Sequence, residues 1–276
     1  MAEPEANDER EYLLGTGDDE VVRLGFQHQV WSAVAARGWD RAGFGPGQRL
    51  LDVGCGPGHA TFDLQRLVGR EGEVVAVDLS QRFITFLISQ LQARGVSNVT
   101  ASVGDVETLE LPERSLDGAY ARWVLCFLAD PEATVAGVAR ALRPGGSFVV
   151  QDYLHYAGVT VAPESDAFRR VFDATVASWR ANGGDPNVGT RIPAMMLRCG
   201  LEVREIRPLS RIARPASALW RWPETFFTGY VPHLVEWGFL TDDGAEAFWR
   251  EWEARSRDPA AFFLTPPMVE VIGVRS

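Results

Sequence analysis

Arg49-Leu-Leu-Asp-Val-Gly-Cys-Gly-Pro-Gly58 is the stretch that decides the fold. A short run, apolar except for Arg49 and Asp52, passes with no linker into a turn holding three glycines. It continues into a helix-forming segment, His59 to Val68, that is closed by Gly69. A strand with no polar alternation has no solvent face, which is the pattern of a parallel sheet covered on both sides. The unit recurs downstream. Glu73 to Val77 reads as a second strand, and a helix capped at Ser80 runs to about Ala93, ended by Gly95. Val99 to Val103 reads as a third strand, Leu116 to Tyr120 as a fourth and Pro131 to Leu142 as a helix. The turn Arg143-Pro-Gly-Gly146 leads to a fifth strand, Ser147 to Gln151. Strands and helices alternating at this spacing imply right-handed crossovers and a parallel sheet, hence an α/β fold.

Upstream, Glu20 to Arg37 has helical spacing until Gly43 and Gly45-Pro46-Gly47 break it. Beyond Asp152 the regularity weakens. A helix is expected from about Ser165 to Arg180, a loop over Asn182 to Asn187, a short helix through Met195, and strands at Leu201 to Ile206 and Met268 to Val274. Between the last two strands, about 216–261, lies a helical stretch carrying Trp220, Trp222, Phe226, Phe227, Tyr230, Trp237, Phe239, Phe248 and Trp252. It reads as an insertion that caps the carboxyl edge of the sheet or serves as an interface. The chain is expected to be a single domain over 1–276: an N-terminal helical leader (1–47), a core (48–152), and a C-terminal half (153–276) with the cap.

Composition narrows the function classes. The apolar fraction of 46% with 23% charged residues belongs to a globular chain. A net charge of −10 argues against nucleic acid or an anionic membrane surface as partner, because both require a basic footprint. All 27 Lys-plus-Arg positions are Arg, which rules out Schiff-base and P-loop lysine chemistry. Cys55, Cys126 and Cys199, with His28, His59, His155 and His233, show no metal-ligand spacing, so no metal is expected. The low cysteine count, the polar N-terminus and the lack of a membrane-length apolar run point to a cytoplasmic globular protein, and a monomer or homodimer is expected.

In an open parallel sheet, ligands bind beyond the carboxyl ends of the strands. The Gly54-to-Gly58 turn therefore marks the site: glycines admit positive φ and let backbone amides approach a ligand, and the following helix points its N-terminal amides there. Asp78, 22 residues beyond Gly56 at the end of the second strand, suits the two hydroxyls of a ribose. Asp105 in Gly104-Asp105-Val106 suits an adenine amine, and Asp52 is a charge in an apolar strand that calls for a partner. His59 stands where a dinucleotide fingerprint requires its third glycine, which disfavours a pyrophosphate ligand.

Leu51-Asp-Val-Gly-Cys-Gly-Pro-Gly58, Val74-Val-Ala-Val-Asp78, Gly104-Asp105-Val106 and Leu142-Arg-Pro-Gly-Gly146 together resemble the ordered motifs of class I S-adenosylmethionine-dependent methyltransferases of the small-molecule type. Tyr12-x-x-Gly15 and Glu20-x-x-Arg23-Leu24-x-x-Gln27 resemble their leader helix. The resemblance implies a Rossmann-like, doubly wound, mostly parallel seven-stranded sheet with helices on both faces. It also implies S-adenosylmethionine as cofactor, S-adenosylhomocysteine as product, and methyl transfer to a small, apolar or aromatic acceptor, with a place in secondary metabolism. Gly54, Cys55, Gly56 and Gly58 would cradle the amino acid part, with Asp52 near its amino group and Arg122 beside it. Asp78, with Leu79 next to it, would hold the ribose, Asp105 and Val106 would frame adenine, and Tyr12 and Gln27 would cover the cofactor. His28 and His59 would support this region.

Methyl transfer is a displacement that depends chiefly on alignment, and a base is needed only for an acceptor with a tightly held proton. The candidates follow the fifth strand: Tyr153 and His155 foremost, with Asp152 and Tyr156 beside them, and His233 in the insertion. The other readings of the residues are non-methyl chemistry with the same cofactor, or cofactor binding without catalysis.

Overall fold

A computed structural model describes residues 16–276 of the chain; Tyr12 and Gly15 lie outside the described residues. In chain order the main elements are α1 Asp18–Ala42, β1 Arg49–Val53, α2 His59–Val68, β2 Glu73–Asp78, α3 Gln81–Ala93, β3 Val99–Val103, β4 Leu116–Arg122, α4 Pro131–Ala141, β5 Leu142–Tyr153, β6 Thr160–Ala162, α5 Asp166–Ala181, α6 Ile192–Arg198, β7 Leu201–Pro208, β8 Ile212–Ala213, α7 Ala218–Glu236, α8 Asp242–Arg257, β9 Phe262–Leu264 and β10 Met268–Arg275. Seven strands form one sheet in the order β3-β2-β1-β4-β5-β10-β7, with only β10 reversed against its neighbours. This is the expected α/β, doubly wound, mostly parallel sheet. The expected leader is one helix, α1, within the described residues.

The apolar runs of the strands bury both faces, as their lack of alternation requires. Leu50, Val74, Tyr120, Val149 and Ile272 pack under Trp39 of α1 and Leu64 of α2. Leu51, Val75, Ala119, Val150 and Val271 face the opposite layer with Val135 and Val138 of α4 and Met196 of α6. The helices begin where short polar side chains satisfy free amides. Ser80 accepts from the Phe83 amide (3.2 Å) and Asp130 from the Ala133 amide (3.1 Å), with Pro131 in the first turn of α4.

Of the boundaries that differ from expectation, two lie at the carboxyl edge of the sheet or lead to it. β4 continues to Arg122, which puts that side chain at the carboxyl end of the strand. β5 starts at Leu142, because the Arg143–Gly146 turn is accommodated as an irregularity in the β4–β5 register between Leu116 and Gly118 and does not interrupt the strand.

The segment between β7 and β10 folds as α7 and α8, preceded by β8 and followed by β9. Most of its aromatic rings enter the core of the chain itself: Trp220 stacks on Trp252 at 4.9 Å, and Phe248 meets Phe168 of α5 edge-on at 5.7 Å. β6, β9 and β8 form a small antiparallel sheet that ties the start and end of this half together.

Candidate active site

The sheet order reverses between β1, which leads outward to β2 and β3, and β4, which leads to β5. Their carboxyl ends therefore diverge, and the crevice expected at such a point is present as a cavity of about 500 Å³. Its lining comes from α1 (Arg23, Leu24, Gln27, His28), the glycine turn, the ends of β2 and β4, the loop after β3, and a set of aromatic rings.

The polar side is built from short-range sequence. Gly56 has φ +54°, and a side chain there would meet nothing within 4 Å, so its backbone lies open to the cavity. Its amide donates to Asp78 Oδ2 at 2.8 Å, while Ser80 donates its amide to Oδ1 at 2.9 Å. The Asp78 carboxylate is thus locked in orientation at the cavity edge, and burial raises its pKa. Asp52, almost wholly buried on β1, accepts from the Thr61 hydroxyl at 2.6 Å. Desolvation pushes its pKa up to about 7, against the lowering influence of Thr61 and of nearby Arg122. Arg122 gives one guanidinium nitrogen to His28 Nδ1 at 3.1 Å, and its Nη1 is buried with no hydrogen-bond partner among the described residues. Asp105 accepts from the Glu107 amide at 2.9 Å and lines the cavity with Val106 and the half-exposed Leu79.

Two expected contacts, those of Gly58 and the Cys55 side chain, are placed differently. Gly58 is not in the lining; at φ +86° its Cβ would strike Leu87 of α3 at 2.3 Å, so this glycine admits α3 against the turn. Cys55 contributes its backbone, because its side chain packs with Phe62, Ile84 and Leu87. Gln27 does line the cavity, and its Oε1 accepts from Trp222 Nε1 at 2.9 Å and from Arg23 at 3.2 Å, which joins α1 to α7.

The other side is aromatic. Trp123, Phe127, Tyr153, Trp179 and Phe226 line it with Val124 and Leu128. Trp123, held at φ +54°, lies between Tyr153 (6.3 Å, near-parallel) and Trp222 (5.9 Å, near-parallel), with the Arg122 guanidinium 4.9 Å from its ring centre. Of the nine aromatic residues singled out in the insertion, Phe226 alone is in the lining. Trp123 and Trp179 are site residues that the sequence did not mark; an aromatic directly after Arg122 was the available signal for the first.

The base candidates separate. Tyr153 lines the cavity, and burial raises its hydroxyl pKa well above the ordinary value, which favours the protonated form. His155 is exposed and outside the lining. Asp152 is fully buried, its pKa pushed up to about 6 by burial, and accepts from the Tyr153 amide at 2.8 Å. Tyr156 is buried against Trp179, and His233 is paired with Glu236 at 3.3 Å; neither reaches the cavity. No group of three or more potential metal ligands occurs among the described residues.

The donor set fits S-adenosylmethionine. An unpartnered buried guanidinium nitrogen and a buried carboxyl of raised pKa are the complements of a carboxylate and an ammonium group. Beside them the open Gly56 backbone gives room for a ligand, and Asp78 presents an oriented acceptor at the cavity edge.

Comparison with known proteins agrees. Residues 51–150 match the family described as "Methyltransferase domain". The chain is 29% identical over 210 residues to an uncharacterized 37.1 kDa protein in transposon TN4556 of Streptomyces fradiae, covering 74% of this chain and 59% of that one. It is 27% identical over 175 residues to the ubiquinone/menaquinone biosynthesis C-methyltransferase UbiE of Shewanella oneidensis, covering 61% of this chain and 67% of that one. The chain thus spans about three fifths to two thirds of the length of these relatives. The geranyl diphosphate C-methyltransferase of Streptomyces coelicolor, solved with S-adenosyl-L-homocysteine, shares the fold at a TM-score of 0.57 and 17% identity, covering 90% of this chain and 82% of that one. Residues 51–150 are thus a methyltransferase domain, on a sheet with the fold of the class I S-adenosylmethionine-dependent methyltransferases.

Proposed function

We propose that the chain transfers a methyl group from S-adenosylmethionine to a small molecule with an apolar or aromatic body, bound between the glycine turn and the cap. The observation that carries this is the composition of the cavity's far wall: Trp123, Phe127, Tyr153, Trp179 and Phe226, with no carboxylate among them. Such a wall binds flat or hydrocarbon surface by excluding water, and its ring faces also attract positive charge.

When bound, the cofactor supplies an electrophilic methyl on a positively charged sulfur. The protein contributes alignment. Asp78 would accept from the ribose hydroxyls, its own orientation fixed by the Gly56 and Ser80 amides. Arg122 and Asp52 face the amino acid end, and Asp105 with Val106 and Leu79 lies at the adenine end. The Tyr153 hydroxyl, kept protonated by burial, donates a hydrogen bond that orients an acceptor oxygen or nitrogen. With Tyr153 a donor and His155 outside the cavity, the reading favours acceptors that are nucleophilic without help from those two side chains.

The test is S-adenosylhomocysteine formation over a panel of acceptors: phenolic, quinol and isoprenoid compounds on one side, glycine and other hydrophilic amines on the other. Turnover confined to the apolar group is expected. Turnover confined to the hydrophilic group would overturn the acceptor assignment. A second prediction belongs here: Tyr153→Phe is expected to raise the acceptor KM about fivefold to tenfold, the worth of one neutral hydrogen bond, without changing S-adenosylhomocysteine affinity. Steady-state kinetics beside calorimetry check it.

A further inference from the structure

Arg122 is held by a chain of contacts that starts on α2 and passes through α1. His28 lies between Arg122 and Asp63: its Nδ1 faces an Arg122 guanidinium nitrogen at 3.1 Å and its Nε2 faces Asp63 Oδ2 at 2.8 Å. A guanidinium only donates, so Nδ1 must carry the lone pair; the ring proton is then on Nε2 and is donated to Asp63. Each contact therefore fixes the next. Asp63 selects the imidazole tautomer, and that tautomer offers Arg122 an acceptor. The hydrogen bond from His28 also holds the Asp63 carboxyl below the usual carboxylate range, as an ionised acceptor requires.

The arrangement restricts Arg122 more than a lone ion pair would. The nearby Asp52 carboxyl does not hydrogen-bond the guanidinium; its Oδ2 accepts from Thr61 instead. The guanidinium face rests on Trp123 at 4.9 Å. With Nη2 on His28 and the plane set by the indole, Nη1 is left buried and unpartnered next to the glycine turn. His28 also lines the cavity, and its ring lies near-parallel to that of His59 at 6.1 Å, with His59 Nε2 in turn 3.3 Å from the Val21 carbonyl oxygen. The imidazole is thus fixed from α1, α2 and β4 together.

We propose that Asp63 and His28 are positioning residues that aim Arg122 at the carboxylate of the cofactor's amino acid end. The proposal rests on the cofactor assignment and on Arg122 facing that end. Neither His28 nor Asp63 touches the reacting atoms. They act through the guanidinium, whose bidentate geometry makes its orientation decisive for a carboxylate.

Two ligands separate this role from general support of the fold. S-adenosylhomocysteine carries the amino acid part, whereas 5′-methylthioadenosine lacks it and keeps the adenosine. Calorimetric titrations of both with the wild-type chain, His28→Phe, His28→Asn and Asp63→Ala are the experiment. His28→Phe is expected to weaken S-adenosylhomocysteine about tenfold or more, the scale of one charge-assisted hydrogen bond, with 5′-methylthioadenosine changed less than about twofold. His28→Asn, which keeps an acceptor oxygen near the position of Nδ1, is expected to recover most of that loss. Equal weakening of both ligands by His28→Phe would overturn the proposal, as would unchanged S-adenosylhomocysteine affinity. Should His28→Phe not fold, Asp63→Ala in the middle of α2 decides: a loss selective for S-adenosylhomocysteine supports the relay, and no loss, or an equal loss of both ligands, overturns it. A wild-type chain that binds neither ligand would overturn the cofactor assignment, and the relay with it.

Discussion

The two sides of the cavity are built in opposite ways. The cofactor side is made largely of backbone and carboxylates from one stretch, Asp52 to Val106, joined by Arg122 and His28, and the Asp78 carboxylate there is held by amides of the glycine turn and of its own strand end. The aromatic side is assembled from rings far apart in the chain, at 123, 127, 153, 179 and 226, and is held by packing. One side is specified by hydrogen-bond geometry and the other by volume. Changes to the first should alter binding with little loss of stability, and changes to the second should do the reverse.

The largest effect is expected from the aromatic side. Trp179 is almost wholly buried and touches Phe127, Tyr153 and Tyr156. Trp179→Ala is expected to cost about 3–5 kcal/mol of stability, seen as a lowered denaturation midpoint, with S-adenosylhomocysteine affinity of the folded fraction kept within about twofold. A comparable loss of affinity would show that the two sides are not independent.

Asp78→Ala comes next. Removing two charge-assisted hydrogen bonds to a ribose is expected to weaken S-adenosylhomocysteine about a hundredfold or more by calorimetry. The fold should be retained, because the lost partners are two backbone amides at the edge of the turn. Unchanged affinity would remove the ribose assignment.

The smallest effect is a matter of protons. Asp52 and Asp152, at about 7 and about 6 in the folded chain, both lie above their ordinary 3.8. Between pH 4 and 7 the folded chain therefore keeps protons that the unfolded chain has released, so stability from these groups falls as pH rises through that window. Asp52→Asn should flatten part of the fall in melting temperature between pH 5 and pH 8. An ammonium group placed beside Asp52 favours its ionised form, so cofactor binding near pH 7 should release a fraction of a proton, up to about one. Calorimetry in two buffers of different ionisation enthalpy measures this directly; no release would place the ammonium group elsewhere.

This contrast also explains what could be read from sequence. The Gly54–Gly58 turn, Asp78 and Asp105 are legible because turn, strand end and ligand geometry are set within a few residues of each other. The seven-stranded sheet was legible for the same reason, from apolar runs and their caps. Trp179 was not, since nothing local distinguishes an aromatic that lines a cavity from one that fills a core, and for Trp123 the only local signal was its place directly after Arg122. The insertion showed the converse: its many rings suggested a cap over the site, yet most of them pack into the chain's own interior and only Phe226 reaches the cavity. β6, β8 and β9, of two or three residues each, were too short to show a period and are defined only by their long-range pairing.

The position of β10 has a consequence for how the chain reaches this state. β10 lies between β5 and β7, and both partners precede the cap in sequence while β10 follows it. Until α7, α8 and β9 have been made and collapsed, β5 presents an unpaired edge with the apolar run Phe148-Val-Val150. Closing that gap is a late, long-range step of high contact order, slow compared with forming the β1–β4 region. An exposed hydrophobic strand edge in the meantime is the natural point of self-association, so the fate of this chain during synthesis is governed by how quickly its last strand arrives.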